Sequence, residues 1–435
     1  VRPARARGPG AAARLPAVRT MIRVLRDRRI VLGISGGIAA YKCIELARSL
    51  AQGGALVDVV LTEAALQFVA PLTFQALTRR PVHTTVFEAW DARSAGHVTL
   101  GAEADLMVVA PATANVIAKL AHGLADDALT VTALACPAPL IVAPAMDHHM
   151  YHHPATQANL RTLREGGAVI VGPEAGPLAS GMVGEGRLVE PERLLAVIRA
   201  TLGRRGPLAG AHVVVTAGPT REPIDPIRFI SNHSSGRMGY ALAEAARDAG
   251  AQVTLITGPT ERQPPFEVEV IRVQTAAEMA AAVQAAVENA DALIMCAAVA
   301  DYRPSRVVPE KIKKTEEQLS LPLERTVDIL ASVQRPGLVK VGFAAETERL
   351  LEHGRAKLET KRLDLLVAND ARETMGSEEA QVYLLTPDRE PEALPRLSKT
   401  VLAEIIVDRV ARLLRARRAT SEVSDGAATA TPPAS

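Results

Sequence analysis

From Ile30 onward the chain repeats one alternation, a short β-branched or aliphatic run followed by a longer stretch with helical periodicity. Ile30–Ile34, Leu56–Leu61, Leu106–Ala110, Leu140–Val142 and Val169–Val171 read as strands in the first half. A second series follows at His212–Thr216, Val253–Ile256, Leu293–Cys296, Leu338–Phe343 and Leu365–Ala368. Strands alternating with helices imply a parallel sheet with crossover helices, so the pattern predicts an α/β chain of two tandem doubly wound domains. Gly203–Gly210, with two arginines and a proline between glycines, reads as a linker between domains at 21–202 and 211–418. Residues 419–435 are rich in Ala, Thr, Ser and Pro, with Val423 their one large apolar residue. Such a segment cannot offset its ordering entropy and is expected to be disordered. No repeat at solenoid spacing is visible.

Composition narrows the class. A length of 435 residues suits ~2–3 domains. Hydrophobic residues at 48% and charged residues at 23% give the balance of a soluble globular protein. Aromatics at 3% leave few stacking platforms for nucleic acid, and a net charge of +2 argues against a polyanionic partner. Cys43, Cys136 and Cys296 lie far apart, which favours neither a disulfide framework nor a thiolate metal site. No apolar run is long enough to span a bilayer, so no membrane partner is expected and a reducing cytoplasm is the expected location. The arginine-rich residues 1–20 read as a basic extension, disordered or untranslated, with Met21 as the expected start.

Candidate chemistry gathers where strands end. In AGPTREPIDPIRFISNHSSGRMG, Ala217–Gly239, a strand feeds the Gly218-Pro219-Thr220 turn and Ser234-Ser235-Gly236 then opens a helix. Free backbone N–H groups and the positive end of a helix dipole suit a phosphate or carboxylate. Ser35-Gly36-Gly37 repeats the device near the start; alone it is as often a structural turn. Thr62 and Ala110–Asn115 follow other strands, so hydroxyl and amide groups collect at the carboxyl edge where open α/β sheets bind ligands. Two such edges imply two nucleotide-sized ligands.

Other residues admit plainer readings. His97 precedes an amphipathic stretch and reads equally as an exposed cap or as a base titrating near neutrality. His148, His149, His152 and His153 contain two i,i+4 pairs, yet Pro154 ends any helix there and no acidic or Cys ligand accompanies them, so a polar solvated loop is expected. Asp301 lies beyond a strand end, and Lys311-Ile312-Lys313-Lys314 follows on a loop that by itself reads as solvated surface. Lys357 and Lys361, four apart on a predicted helix, offer a cationic face for a triphosphate.

These residues together resemble the bacterial bifunctional phosphopantothenoylcysteine decarboxylase and phosphopantothenate–cysteine ligase family of coenzyme A biosynthesis. The resemblance covers about Ile30–Ala411 and rests on VLGISGGIAAYK, GHVTL, APATAN, PAM, TAGPTREPIDPIRFISNHSSGRMG, AAVADYRP, EKIKK and GFAAET in the family's order. It implies a flavodoxin-like flavin cysteine decarboxylase domain followed by a Rossmann-like ligase domain. In the first, Ser35, Gly36, Gly37, Thr62, Ala112, Thr113 and Asn115 would form the FMN site and His97 would be the catalytic histidine. The flavin oxidises the thiol-bearing carbon, so that CO₂ can leave toward an electron sink, and then returns the hydride. In the second, CTP activates 4′-phosphopantothenate as an acyl-cytidylate, which cysteine attacks. Lys311, Lys357 and Lys361 match the family's cationic residues, acting with Mg²⁺ on triphosphate and pyrophosphate. Asp301, Phe343 and Met295-Cys296-Ala297 match its CTP-contacting positions, the Val327-Asp328-Ile329-Leu330 backbone is placed against the nucleotide, and Asn232 matches the asparagine that handles the acyl-cytidylate. CTP rather than ATP follows from the resemblance alone. Homo-oligomers are implied too, trimeric through flavin domains and dimeric through ligase domains.

Three departures stand out. The family's PAMN is Pro144-Ala145-Met146-Asp147 here, and an ionised Asp147 would repel the substrate carboxylate unless protonated, turned aside or used to destabilise the ground state. The cysteine of its flexible ACG clamp is Ser180, a far poorer acid, expected to position substrate or relay a water's proton. Of its KNPDI segment only Asp328 and Ile329 remain. Two rival readings follow: an active ligase whose FMN-binding domain is impaired in decarboxylation, and a dinucleotide-binding oxidoreductase or sensor.

Overall fold

A computed structural model describes residues 23–87, 96–313, 320–346, 348–374 and 376–428, with the backbone alone at 373 and 420–428. The basic extension, Met21, Lys314 and residues 429–435 lie outside the described residues. The first sheet contains β1 (Arg29–Ile34), β2 (Leu56–Leu61), β3 (Val82–His83), β4 (Leu106–Ala112), β5 (Leu140–Pro144) and β6 (Val169–Ile170). All pair in parallel, in the order β3-β2-β1-β4-β5-β6. The order reverses between β1 and β4, where Ile30 faces Val57 on one side and Leu106 on the other. Loops leaving these strands diverge and open a crevice at their carboxyl ends.

Both faces of this sheet are covered, which is why its strands are continuous apolar runs. On one face Leu32, Val59 and Val108 pack with Leu46 and Leu50 of α1 (Lys42–Gln52). On the other, Val31, Met107 and Val109 pack with Ile117 of α3 (Ala114–His122) and Leu129 of α4 (Ala128–Leu134). Each such leucine contributes about 1.5–3 kcal/mol by burial. The short helix α2 (Gly96–Ala102) lies before β4, and α5 (His148–His152) follows β5. An antiparallel hairpin, β7 (Glu174–Pro177) and β8 (Val183–Arg187), folds outside the sheet.

The second sheet has β9 (His212–Ala217), β10 (Gln252–Thr257), β11 (Glu269–Arg272), β12 (Ala292–Met295), β13 (Val339–Glu346), β14 (Leu365–Asp370), β15 (Tyr383–Leu385) and β16 (Glu392–Ala393). Its order is β11-β10-β9-β12-β13-β14-β15-β16, the first six parallel and β15 and β16 an antiparallel edge. Again the order reverses at the first strand, between β9 and β12.

Helix α9 (Lys399–Ala428) runs through Ala419 into the segment read from composition as disordered. Leu402, Ile406 and Val410 of α9 pack with Leu242 and Ala246 of α7 (Arg237–Asp248), and a helix so nucleated propagates through weak formers at little cost. The 203–210 linker is closely packed. Helix α6 (Pro191–Gly203) buries Leu194, Val197 and Ile198 in the first core, and a Cβ on Gly203 would lie 2.2 Å from the Asp248 carbonyl of α7. Buried Arg199 is ion-paired with Asp248 and lies 3.5 Å from Glu244, while Arg23 pairs with Asp408 of α9 at 2.7 Å. No helix of the described residues is long and apolar enough to cross a membrane.

Glu404 of α9 sits in this joint, accepting from the Arg23 amide at 3.1 Å. Burial pushes its carboxyl up to about 6, against the pull of Arg199 and Arg23. A folded value above the unfolded one means stability that is complete in acid and lost as pH rises through about 6. Glu404→Gln is therefore expected to melt like wild type near about pH 4 and at a higher temperature near about pH 8, read from thermal unfolding across pH.

Candidate functional site

At the first sheet's switch point Ser35 is 1% exposed. Its Oγ donates to the Pro111 carbonyl at 2.7 Å and accepts from the Thr113 amide at 3.0 Å, bracing the loops after β1 and β4. Ser35 thus shapes the expected FMN site with a hydroxyl already engaged. Gly36 is required because a Cβ there would come within 2.4 Å of Ala64 Cβ in the loop after β2. Thr62 and Thr113 start helical turns by accepting from the Ala65 and Val116 amides. Gly37 opens its turn without any side-chain cap, which leaves amides at the crevice for an anion. Ala112 is buried beneath them and Asn115 is exposed at the rim. These residues therefore gather at one edge and fit a phosphorylated flavin through backbone amides rather than charged side chains. His97 is half-buried in the first turn of α2, whose position is set by packing against α4, since a Cβ on Gly101 would meet the Thr132 carbonyl at 2.8 Å.

The β7–β8 hairpin closes over α5. The Met146 amide donates to the Gly186 carbonyl at 3.0 Å, and His152 Nε2 lies 3.0 Å from Glu185. At its tip Ser180 Oγ donates to Asp147 Oδ2 at 2.7 Å, while Asp147 Oδ1 accepts from the His149 amide and caps α5. The Ser180 hydrogen bond, helped by the cap, holds the Asp147 carboxyl below the usual aspartate range. Both oxygens of the Asp147 carboxylate are thus engaged by this chain's own groups. The histidine segment is one helical turn stopped before Pro154, not the expected loop, because Asp147 caps it. Among the described residues no group of three or more His, Cys, Asp or Glu could hold a metal.

At the second switch point a cavity of about 900 Å³ collects nearly every position expected to touch the nucleotide. Met295, Cys296 and Ala297 enter from the end of β12 and Asp301 from the loop beyond it. Val327, Asp328, Ile329 and Leu330 form a turn in its wall, Phe343 lies on β13, and Lys357 and Lys361 close the end of α8 (Leu350–Thr360). Lys361 Nζ is ion-paired with Asp328 at 2.8 Å, and Lys357 Nζ donates to the Phe343 carbonyl at 2.8 Å. Burial, reinforced by Lys361, holds the Lys357 amine below the usual lysine range.

Two expected residues stand apart. Lys311 is exposed and lies outside the cavity wall, on a loop anchored by the Ile312 amide to Asp225 at 3.2 Å. Asn232 lines a neighbouring cavity of about 580 Å³ that shares Ser234 and Ser235 with the first. Its Nδ2 donates to the Ala298 carbonyl at 2.7 Å, so its amide fixes the loop after β12. Conversely, Arg237, Asn369 and Lys399 line the same cavity without having been foreseen. Arg237 stands within the SSGRMG motif but was not singled out in it, and a lysine at the start of an amphipathic helix reads as surface.

The carboxyl-terminal residues 208–414 match the family described as DNA/pantothenate metabolism flavoprotein C-terminal domain, and residues 19–203 match the flavoprotein family. The coenzyme A biosynthesis bifunctional protein CoaBC of Bacillus subtilis (strain 168) is 46% identical over 398 residues, 90% of this chain and 98% of the relative. The chain belongs to the CoaBC family. The Escherichia coli (strain K12) member is 44% identical over 397 residues, 89% of this chain and 97% of its own. A solved C-terminal domain of a CoaBC protein is 40% identical, covering 48% of this chain and 98% of that one with a TM-score of 0.43. Like its family, the chain is a bifunctional decarboxylase and ligase of coenzyme A biosynthesis, with a flavoprotein domain preceding the ligase domain.

Cys296 sits in the ligase cavity, but burial pushes its thiol up to about 12, leaving essentially no thiolate. Burial raises the Cys43 thiol as well. Alkylation of the native chain near about pH 8, followed by peptide mass spectrometry, is expected to modify half-buried Cys136 and to leave buried Cys43 until unfolding.

Proposed function

We propose that the ligase domain joins cysteine to 4′-phosphopantothenate using CTP, and that the flavin domain decarboxylates the resulting 4′-phosphopantothenoylcysteine to 4′-phosphopantetheine with FMN. The observation that carries the ligase half is the single cavity at the β9/β12 reversal, which draws the expected nucleotide positions from five separate segments. A carboxylate oxygen bonds to the α-phosphorus of CTP, the bond to the bridging oxygen breaks, and pyrophosphate leaves with the electron pair. The amine of cysteine then attacks the acyl carbon and CMP departs. The adjoining cavity at Asn232 suits the acyl partner, because it opens on the same Ser234-Ser235 turn. Mg²⁺ would arrive with the phosphates rather than reside in a protein cage.

In the flavin domain, the uncapped Gly37 turn and the Thr62 and Thr113 loops would hold FMN, which supplies an electron sink beside the substrate's thiol-bearing carbon. His97 is assigned the proton on that substrate, and Ser180 orients the hairpin through Asp147. Membership of the family supports a trimeric flavin core and dimeric ligase pairs, checked by sedimentation. The Ser180–Asp147 bond also favours a second reading, in which the flavin domain decarboxylates slowly, since its clamp offers a hydroxyl committed to a carboxylate.

Supplying CTP, 4′-phosphopantothenate and cysteine with and without FMN tests both halves. Pyrophosphate is expected only with phosphopantothenate present, and CO₂ only in the flavin-loaded protein; absence of pyrophosphate would sink the ligase reading, and pyrophosphate without CO₂ would select the slow-flavin one. Ser180→Ala is expected to lower CO₂ release by about tenfold with pyrophosphate formation unchanged.

A further inference from the structure

Charges in the ligase cavity fall into two groups. Lys357 and Lys361 lie among the carboxylates Asp328, Glu346 and Asp301, and Lys361 is ion-paired with Asp328. Lys399, at the start of α9, instead has Arg237 and Arg262 as its charged neighbours, together with the Cys296 thiol, and Arg237 pairs with exposed Glu378 at 3.1 Å. It is 8% exposed and lines the cavity. Its ammonium donates to the Thr374 carbonyl at 3.1 Å, and among the described residues no carboxylate is ion-paired with it. An ammonium has three donors, so this one retains capacity toward the cavity. Burial holds the Lys399 amine below the usual lysine range, and Arg237 presses the same way. The opening of α7 adds more positive potential in the same wall, because Gly236 caps it in a left-handed conformation with φ 72° and no side-chain cap. A buried cation without a counter-ion costs stability, and positive groups gathered around a cavity recover that cost when an anion binds.

We propose that Lys399, flanked by Arg237 and the opening of α7, receives the terminal phosphates of the nucleotide and holds the departing pyrophosphate. This rests on the nucleotide-dependent ligase reading and divides the cavity, with the base and ribose toward Lys357, Lys361 and Asp328. Lys399 is then a binding residue for the leaving group, where negative charge grows as the bond from α-phosphorus to bridging oxygen breaks. In this division Lys399 takes the phosphate role expected of Lys357 and Lys361, because Lys361 is already ion-paired with Asp328 and Lys357 lies beside that pair.

Titration of the full-length chain with Mg²⁺ and inorganic pyrophosphate, CTP or CMP reads the subsite directly. Lys399→Met is expected to weaken pyrophosphate and CTP by about tenfold or more and to leave CMP within about twofold, with Lys399→Arg restoring most of the loss. Equal pyrophosphate affinity in wild type and Lys399→Met, or parallel loss of CMP and CTP, would overturn the assignment. Circular dichroism of both variants separates this from misfolding, and the arginine variant keeps the test decisive if the methionine variant fails to fold, because Lys399→Arg weakened as much as a Lys357→Ala control for CMP would also overturn it. Should wild type bind ATP as well as CTP, the nucleotide reading fails while the pyrophosphate result still judges Lys399.

Discussion

Buried hydroxyls at the reversal point of each sheet hold the structure's two binding edges in shape. Where strand order reverses, the loops from adjacent strands part, and their amides lose the ladder that satisfied them. In the first sheet Ser35 Oγ bridges that gap to the Pro111 carbonyl and the Thr113 amide. In the second, fully buried Thr216 accepts from the Cys296 and Ala297 amides at 3.1 and 3.0 Å, and Thr220 accepts from the Ala300 amide at 3.0 Å. An unmade bond at these depths would cost more than the bond contributes when made, so the parted loops have little freedom. Each crevice thus arrives preformed, and phosphate groups meet backbone donors that need not reorganise.

The strands and their parallel, doubly wound arrangement were legible because nearly every apolar run in them is covered on both faces and alternates with a helix. The edge hairpin of β15 and β16 was not legible; short partly exposed strands such as Glu392–Ala393 carry no periodic signal. Site residues written as motifs were found where strand ends converge. Lys399 escaped because its role depends on burial and on the absence of a nearby carboxylate, neither of which is encoded locally, and Arg237 escaped because its motif was read for its amides and helix opening. Lys311 and Asn232 show the converse, since a motif match marks a position without fixing its contacts: one is solvent-exposed and the other is engaged in holding a loop.

Asp147 and Ser180 are better understood as a pair than as separate departures. The carboxylate would be unwelcome beside a substrate carboxylate, and the hydroxyl would be a poor acid, but together they form a charge-assisted bond that docks the hairpin onto α5. Glycines at 184 and 186 allow that docking, since a Cβ on Gly186 would lie 2.1 Å from the Met146 carbonyl. The pair couples hairpin closure to the charge state of one aspartate.

The joint between the domains bears on how the two chemistries communicate. Gly203, Gly206 and Gly250 interlock backbone against backbone, with a Cβ on Gly206 2.4 Å from the Ala249 carbonyl, and buried ion pairs of Arg199 and Arg247 with Asp248 lie alongside. Close backbone contacts and buried ion pairs thus tie the two halves together, and fusion fixes their stoichiometry and proximity.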